Sequence, residues 1–142
     1  MLISTRGRYA IRVMIDLTEN GSREYVPLKD IADRQGISRK YLEAIMTILS
    51  KNRMVQAQHG KGGGYRLMRS PKEYRIGEIL RLTESSLAPV ACLAEGADPC
   101  ERAVHCRTLP MWTRLYEMIN EYFDGITLEE LAEGSDGDKN VI

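Results

Sequence analysis

The chain has 142 residues, of which 43% are hydrophobic, enough for one small domain with a real core. No apolar run approaches the ~20 residues that a membrane-spanning helix needs, and the first residues, MLISTRGRYA, show no apolar core of a signal peptide. These features argue against a membrane protein and a secreted protein, and we expect a cytoplasmic one. Its 20 basic and 20 acidic residues cancel to a net charge of zero.

The zero net charge hides an uneven distribution along the chain. Residues 1–81 contain 16 Lys and Arg against 8 Asp and Glu, whereas residues 82–142 contain 4 against 12. A basic first part and an acidic second part indicate a module that binds a polyanion, joined to a different element.

Two helices are predicted before residue 37. The first has Thr5 as its N-cap, carries apolar residues at helical spacing and ends at Asn20 and Gly21. The second starts at Pro27 and is stopped by Gly36.

A third helix follows Ser38, which is a favourable N-cap. Its predicted buried stripe consists of Tyr41, Leu42, Ile45, Met46 and Leu49. Two short helices joined by QGIS, with a glycine in the turn, predict a helix-turn-helix. Other antiparallel helix pairs share this pattern, so the segment alone leaves both possibilities open.

The next segment predicts a β-hairpin. MVQAQ and YRLM alternate apolar and polar residues, and HGKGGG between them is a glycine-rich turn with Lys61 at its tip. A hairpin directly after a helix-turn-helix is the arrangement of a winged helix, so its position strengthens both predictions.

The segment SPKEYRIGEIL returns to a helical pattern, with Ile76, Ile79, Leu80 and Leu82 predicted to face inward. Beyond residue 108 a long helix is predicted, terminated by Gly125. Its continuous apolar face consists of Leu109, Trp112, Leu115, Ile119, Tyr122, Phe123 and Ile126. A last short helix opens with a predicted capping box of Thr127 and Glu130.

All three cysteines lie in residues 92–106, in the spacing C-x7-C-x5-C. In a reducing cytoplasm, clustered thiols are more often metal-binding or redox-active than disulfide-bonded. The residues themselves leave two possibilities open. One is a metal site, with zinc among the possible metals, and the other is a thiol switch with one disulfide and a spare thiol.

Features of an enzyme are missing from the sequence. We find no Ser/His/Asp set and no paired catalytic carboxylates, and HGKGGG precedes a strand instead of the helix that a nucleotide-binding loop requires. We therefore predict that the chain is not an enzyme.

Four segments resemble the bacterial winged-helix regulators typified by IscR, NsrR, RirA and CymR: MLISTRGRYAIRVMIDL, ISRKYLEAIMTILSKNRMV, HGKGGGYRL and ITLEEL. The match covers residues 1 to about 131, and its most specific pieces are STRGRYA and the span from SxxYLE to KGGGYRL. The resemblance implies a DNA-binding transcription regulator, usually a repressor, that works on double-stranded operator DNA as a homodimer.

The resemblance divides the mainly α-helical chain into four parts: a winged helix-turn-helix domain with a hairpin wing (1–84), a cysteine-containing sensor loop (85–108), a long dimerisation helix with a short closing helix (109–134), and a flexible tail (135–142). Members of this family pair through the long helix, here residues 110–123. We predict a dimer seam of Trp112, Leu115, Ile119 and Phe123. Such an apolar helix in a small chain needs a second surface, although its own winged helix could also cover it.

Six basic residues are candidates for phosphate contacts: Lys29, Arg39, Lys40, Lys51, Lys61 and Arg66. The base-reading candidates at the start of the third helix are Ser38, Arg39, Lys40, Tyr41 and Glu43. Arg39 suits guanine and Glu43 suits the N4 amine of cytosine, and in the family the matching glutamate influences which operator class is accepted. Glu43 could equally be a solvated helix charge, and Tyr41 could reach a phosphate or belong to the core.

The tip of the wing, His59, Gly60 and Lys61, is expected to lie against a minor groove or phosphates. Many relatives carry arginine where this chain has His59. This departure weakens the expectation of a strong minor-groove anchor.

The resemblance further implies an iron–sulfur cluster, of 2Fe–2S or 4Fe–4S type, on Cys92, Cys100 and Cys106. Relatives take the fourth ligand from a histidine three residues after the last cysteine or from an acidic residue near the partner's N-terminus. Here those positions hold Leu109 and Arg8, which cannot ligate.

The fourth ligand therefore stays open. Candidates inside the loop are Glu95, Asp98, Glu101 and His105, and water or a small thiol is a further option. The alternative is a cluster-free regulator that uses the loop as a thiol or zinc switch, or that responds to a partner protein as CymR-like members do.

Overall fold

A computed structural model describes residues 2–21 and 24–134; the predicted tail, 135–142, lies outside the described residues. Three helices come first: α1 (Thr5–Asn20), α2 (Leu28–Gln35) and α3 (Arg39–Lys51). A hairpin of β1 (Val55–Gln58) and β2 (Gly64–Leu67) follows, and then α4 (Ile76–Thr83), α5 (Leu109–Asp124) and α6 (Leu128–Ala132). Short 3-10 turns span Pro71–Glu73, Ala91–Leu93 and Ala103–His105. The predicted mainly helical fold with a hairpin wing is confirmed.

The start of α1 differs from the prediction. Ser4, not Thr5, is the N-cap: its hydroxyl accepts a hydrogen bond from the Gly7 amide at 3.0 Å, and Thr5 is the first helical residue. Ser4 is also tied to the distant Glu84, whose carboxylate accepts from the Ser4 amide at 2.7 Å and from the Ser4 hydroxyl at 2.9 Å. Hydrogen bonds to a residue 80 positions away hold Ser4 at the start of α1, and the local sequence does not indicate them.

The turn of the helix-turn-helix forms as the sequence predicts. Gly36 ends α2 in the left-handed conformation at φ 65°, which glycine adopts without a steric cost. Ser38 then caps α3 by accepting from the Tyr41 amide at 3.2 Å. These two residues fix the direction in which α3 leaves the turn.

The core lies where α1, α3 and α4 converge. Of the predicted α3 stripe, Leu42, Ile45, Met46 and Leu49 are fully buried. Tyr41 is 37% exposed, so its assignment to the buried stripe was wrong. Tyr41 is only the third residue of α3 and lies beside α1 at the edge of the fold, where its ring contacts Tyr9. On α4, Ile76, Ile79 and Leu80 are buried as predicted, whereas Leu82 is only partly buried.

An ion pair between a buried carboxylate and an exposed arginine joins α1 to the end of α2. The Asp16 carboxylate, 1% exposed, accepts from the Arg34 guanidinium at 2.8 and 3.0 Å and from the side-chain amide of Gln35 at 2.9 Å. The hydrogen bond to Asp16 raises the pKa of Arg34 above its ordinary value. This pair anchors the residues just before the turn, since a buried carboxylate left without these donors would be costly.

The wing is fixed at its base by the buried Tyr74. Its hydroxyl donates to the Met54 carbonyl at 2.7 Å and accepts from the amides of Met68 and Arg69 at 2.9 and 3.1 Å. One phenol therefore holds both ends of the hairpin. Within the hairpin β1 and β2 pair antiparallel, with Val55 opposite Leu67 and Gln58 opposite Gly64.

The junction of α5 and α6 is hydrogen-bonded to the residues at the start of α4. The Ile76 amide donates to the Ile126 carbonyl, and the Leu128 amide to the Tyr74 carbonyl, both at 3.0 Å. Thr127 caps α6 by accepting from the Glu130 amide at 3.1 Å. Within the described residues the Glu130 side chain makes no return hydrogen bond to the Thr127 amide, so the predicted capping box is only half formed. α6 packs on α1, while α5 lies along α4 at the edge of the fold. Across residues 2–21 and 24–134, no helix is long and apolar enough to cross a bilayer.

Candidate DNA interface and cysteine loop

The start of α3 presents polar side chains to solvent because its apolar residues are committed to the core. The predicted base-reading residues are all exposed: Ser38, Arg39, Lys40, Tyr41 and Glu43. They lie together at the N-terminal end of a helix that is held by the core. This geometry suits insertion of the start of α3 into a major groove.

α1 supports the start of α3 through residues that the sequence did not reveal. The Tyr9 and Tyr41 rings meet edge to face, with centroids 5.8 Å apart. Arg12 lies 4.9 Å over the Tyr9 ring, and its guanidinium donates to the Gln35 side chain at 3.1 Å and to the Gln35 carbonyl. The spacing of Tyr9 and Arg12 by three residues on one helix was the available signal.

The glycines of the wing are required by its geometry. Gly60 and Gly62 have φ of 90° and 78°, in the region that favours glycine. A Cβ on Gly63 would lie 2.2 Å from the Gln58 carbonyl oxygen. The resulting tight turn leaves His59, Gly60 and Lys61 exposed at the tip, as a wing that approaches DNA requires.

The wing and α3 lie next to each other. Burial and, to a smaller extent, the negative charge of Glu43 on α3 raise the pKa of Tyr65 on β2.

Of the predicted phosphate-contacting residues, Lys29, Arg39, Lys40, Lys51 and Lys61 are exposed. Arg66 is instead held on the hairpin, where it donates to the Gln56 side chain at 2.9 and 3.1 Å and lies 4.5 Å over the Tyr25 ring.

The cysteine loop runs between α4 and α5 and contains little regular structure. Cys92 and Cys100 are exposed, Cys106 is partly buried, and none of the three forms a disulfide. Within the part of the chain that the structure describes, no three His, Cys, Asp or Glu side chains are gathered closely enough to hold a metal ion. The thiol donors suit iron–sulfur or zinc chemistry, but the loop would have to close to bring them together.

Cys106 has a distinct environment because it lies just before α5. Its sulfur is 3.5 Å from the Thr108 hydroxyl. Hydrogen bonding to the Thr108 side chain and backbone, with smaller effects of the Leu109 backbone and the charge of Arg102, lowers the pKa of Cys106 below its ordinary value. The thiolate, the form that binds metals and attacks electrophiles, is therefore favoured at this position.

We expect this environment to be measurable as the pH dependence of alkylation. In a Cys92→Ser/Cys100→Ser variant, Cys106 should react with iodoacetamide at a midpoint pH below that of the same variant unfolded in urea. The lowered pKa favours the reactive thiolate in the folded state only. Thr108→Val should raise the midpoint towards the unfolded value; equal midpoints in folded and unfolded protein would contradict the assigned hydrogen bonds.

α5 carries apolar side chains on two faces, so the prediction of one continuous apolar face was wrong. Ile119 and Phe123 of the predicted seam pack partly against the core, and Trp112 is half-buried. The outward stripe, which we call the α5 stripe, consists of Met111, Leu115, Met118 and Tyr122, which are 54%, 38%, 51% and 67% exposed. Met111 and Met118 were not part of the predicted seam, although the spacing of four, three and four residues in the sequence indicates this stripe.

Comparison with known proteins agrees with this architecture. The sequence model of Rrf2, described as an iron-dependent transcriptional regulator, matches residues 3–134. The chain belongs to the Rrf2 family. The predicted recognition of this group of regulators is thereby confirmed, as is the prediction that the chain is not an enzyme, since Rrf2 proteins are transcription regulators.

Individual Rrf2 relatives match over nearly the whole chain. The HTH-type transcriptional regulator IscR of Pectobacterium carotovorum is 35% identical over 136 residues, which cover 96% of this chain and 82% of that protein. CymR, the global cysteine regulator of B. subtilis, superposes with a TM-score of 0.76 at 32% identity, covering 96% of this chain and 99% of CymR. T. potens IscR gives 0.75 at 31% identity, covering 98% and 91%. This Rrf2 chain is a DNA-binding transcription regulator.

Proposed function

We propose that this Rrf2 regulator is a homodimeric repressor whose operator affinity is set by an iron–sulfur cluster on Cys92, Cys100 and Cys106. The observation that carries the proposal is the position of the cysteine loop. It lies between the winged helix that reads DNA and α5, the helix proposed to pair two subunits.

The dimer is supported by the α5 stripe. Its four large apolar side chains are exposed on one face of a helix of 16 residues, and contiguous apolar surface of this kind marks an interaction site. A second copy of α5 would cover it. Two α3 helices could then reach two half-sites of one operator at a fixed separation.

The cluster is supported by the donor set and by the relatives. Three cysteines fall in one exposed loop, and thiolates are the ordinary ligands of iron–sulfur iron. The family is described as iron-dependent, and IscR proteins are among the relatives. When bound, the cluster would supply an iron centre that responds to iron supply, oxidants or nitric oxide.

The fourth ligand of the cluster would come from the loop itself or from a small external molecule. Leu109 begins α5, and Arg8 is an exposed α1 side chain that donates to the Thr5 hydroxyl at 3.2 Å. The loop offers Glu95, Asp98, Glu101 and His105, all of which are exposed. A small external thiol or water in this position would leave one iron open to reaction.

A second candidate is a thiol or zinc switch at the same loop. The lowered pKa of Cys106 favours it, since a stabilised thiolate is also the reactive form in redox sensors. The two candidates predict different metal content, so elemental analysis of protein prepared without oxygen separates them.

Two substitutions test the DNA interface, one expected to change sequence preference and the other to weaken binding to all DNA. Arg39→Ala should cost ~1–3 kcal/mol at the operator and relax sequence preference, because a base-reading arginine contributes to discrimination. Lys61→Ala should weaken binding to operator and random DNA alike and reduce the salt dependence, because it removes a phosphate-facing charge. Binding to both DNAs can be titrated by fluorescence anisotropy at several salt concentrations.

Lys72→Ala is the matched control for these variants. Lys72 is exposed like Lys61, but it lies in the short turn that packs beside α6, and its loss should leave both affinities near the wild-type value. Equal losses on operator and random DNA for Arg39→Ala would remove its base-reading role.

A further inference from the structure

Arg81 joins α4, which belongs to the winged helix, to α5. Its guanidinium donates to both carboxylate oxygens of Asp124, at 2.8 and 2.9 Å, and to the side-chain oxygen of Asn120 at 2.9 Å. Asn120 and Asp124 are one turn apart on α5. A planar guanidinium bound at two points fixes direction as well as distance.

Gly77 lets the two helices meet this closely. A Cβ at Gly77 would lie 2.1 Å from Oδ1 of Asp124 and 3.0 Å from a guanidinium nitrogen of Arg81. Any larger residue would displace the Asp124 side chain, and with it the Arg81 contact. Gly77 is buried in α4 and has an ordinary backbone conformation, so packing explains the glycine better than a turn does.

This ion pair is poorly placed to contribute to stability. The Arg81 and Asp124 side chains are 43% and 46% exposed, and pairs in contact with water gain little net free energy. Their value lies instead in geometry, because the contact restricts rotation of α5 against α4.

Small rotations of α5 matter if two subunits pair through it. A helix of 16 residues is about 24 Å long at ~1.5 Å per residue. A rotation of about 10° at one end moves the other by about 4 Å, close to the ~3.4 Å rise of one base pair. If two subunits pair through α5, a change of this size in the angle between α4 and α5 would shift the separation of the two recognition helices by about one base pair.

We propose that Arg81 and Asp124, packed on Gly77, are positioning residues that determine which half-site spacing the dimer accepts. The inference rests on the proposed dimeric operator binding and adds its spacing specificity. The pair acts on the angle of α5 and does not contact DNA.

The test compares operators that differ only in spacing. Wild-type protein first selects an operator from random DNA, and the spacer is then lengthened and shortened by one base pair. Arg81→Ala and Asp124→Asn should lower the preference for the selected spacing by about fivefold, the scale of coupling between contacting residues. Affinity for DNA with a single half-site should not change, which a general loss of structure would not permit. Gly77→Ala should reproduce the effect without altering either charge.

Arg114→Ala is the matched control. Arg114 is 59% exposed, and its ion pairs, to Glu117 at 3.3 Å and Glu121 at 3.4 Å, lie within α5 itself. This variant should keep the wild-type spacing preference. If the Arg81 and Asp124 variants, folded by thermal melting, also keep it, the inference is wrong while dimeric DNA binding stands. If the wild-type protein selects no operator with two half-sites, the proposed dimeric operator binding and the inference about its spacing are both wrong.

Discussion

Replacing both Leu115 and Met118 with glutamate is expected to give a monomer whose operator affinity is lower by about 100-fold or more, the scale on which joined half-sites reinforce each other. Both side chains belong to the exposed α5 stripe, 38% and 51% exposed. Charged groups there should remain solvated in the monomer and be buried unpaired in a dimer. Ile119 is a less suitable target because it packs partly on its own core.

Light scattering gives the molar mass of the protein and therefore its oligomeric state, and anisotropy titration measures its affinity for the operator. Leu131→Glu is the matched control: Leu131 on α6 is also 38% exposed but lies off the α5 stripe. It should remain dimeric. A Leu115→Glu/Met118→Glu protein that folds and still scatters as a dimer would place the interface elsewhere.

Changing any one of Cys92, Cys100 and Cys106 to alanine is expected to abolish the visible absorption of anaerobically reconstituted protein. The chain has three cysteines to offer to the proposed cluster, so the loss of one would leave too few thiolates to retain iron–sulfur iron. DNA affinity should then stay at the cluster-free value whether or not iron and oxidant are present.

Val104→Ala provides the comparison within the same loop. Val104 is 87% exposed between two of the cysteines and offers no metal-binding atom. It should keep both the absorption and the response of DNA binding. A single cysteine variant that retained the wild-type spectrum would remove that residue from the proposed ligand set.

Much of the DNA-binding part could be predicted because its signals are local. The left-handed turn at Gly36, the cap at Ser38 and the glycines of the wing are each specified within a few residues. The core residues of α3 followed from helical spacing. Tyr41 was misassigned because the same spacing cannot show where the neighbouring helix ends and the surface begins.

The contacts between distant segments could not be predicted. Ser4, the cap of α1, is hydrogen-bonded to Glu84, and α5 contacts α4 through Asp124 and Arg81. Each pairs ordinary charged or polar residues 80 or 43 positions apart, and no local pattern distinguishes them from solvated side chains. Similarly, the periodicity of α5 indicated an apolar helix but could not show which apolar residues pack on the core and which stay exposed.

The most direct test of the proposed sensor is reconstitution of the wild-type protein with iron and sulfide without oxygen, followed by operator titration of the loaded and the cluster-free protein. We predict brown protein with one cluster per subunit by iron and sulfide analysis. Its operator affinity should differ from that of the cluster-free protein by about fivefold or more, a typical scale for allosteric coupling. Colourless protein that binds zinc stoichiometrically, with the same operator affinity in both states, would contradict the proposal.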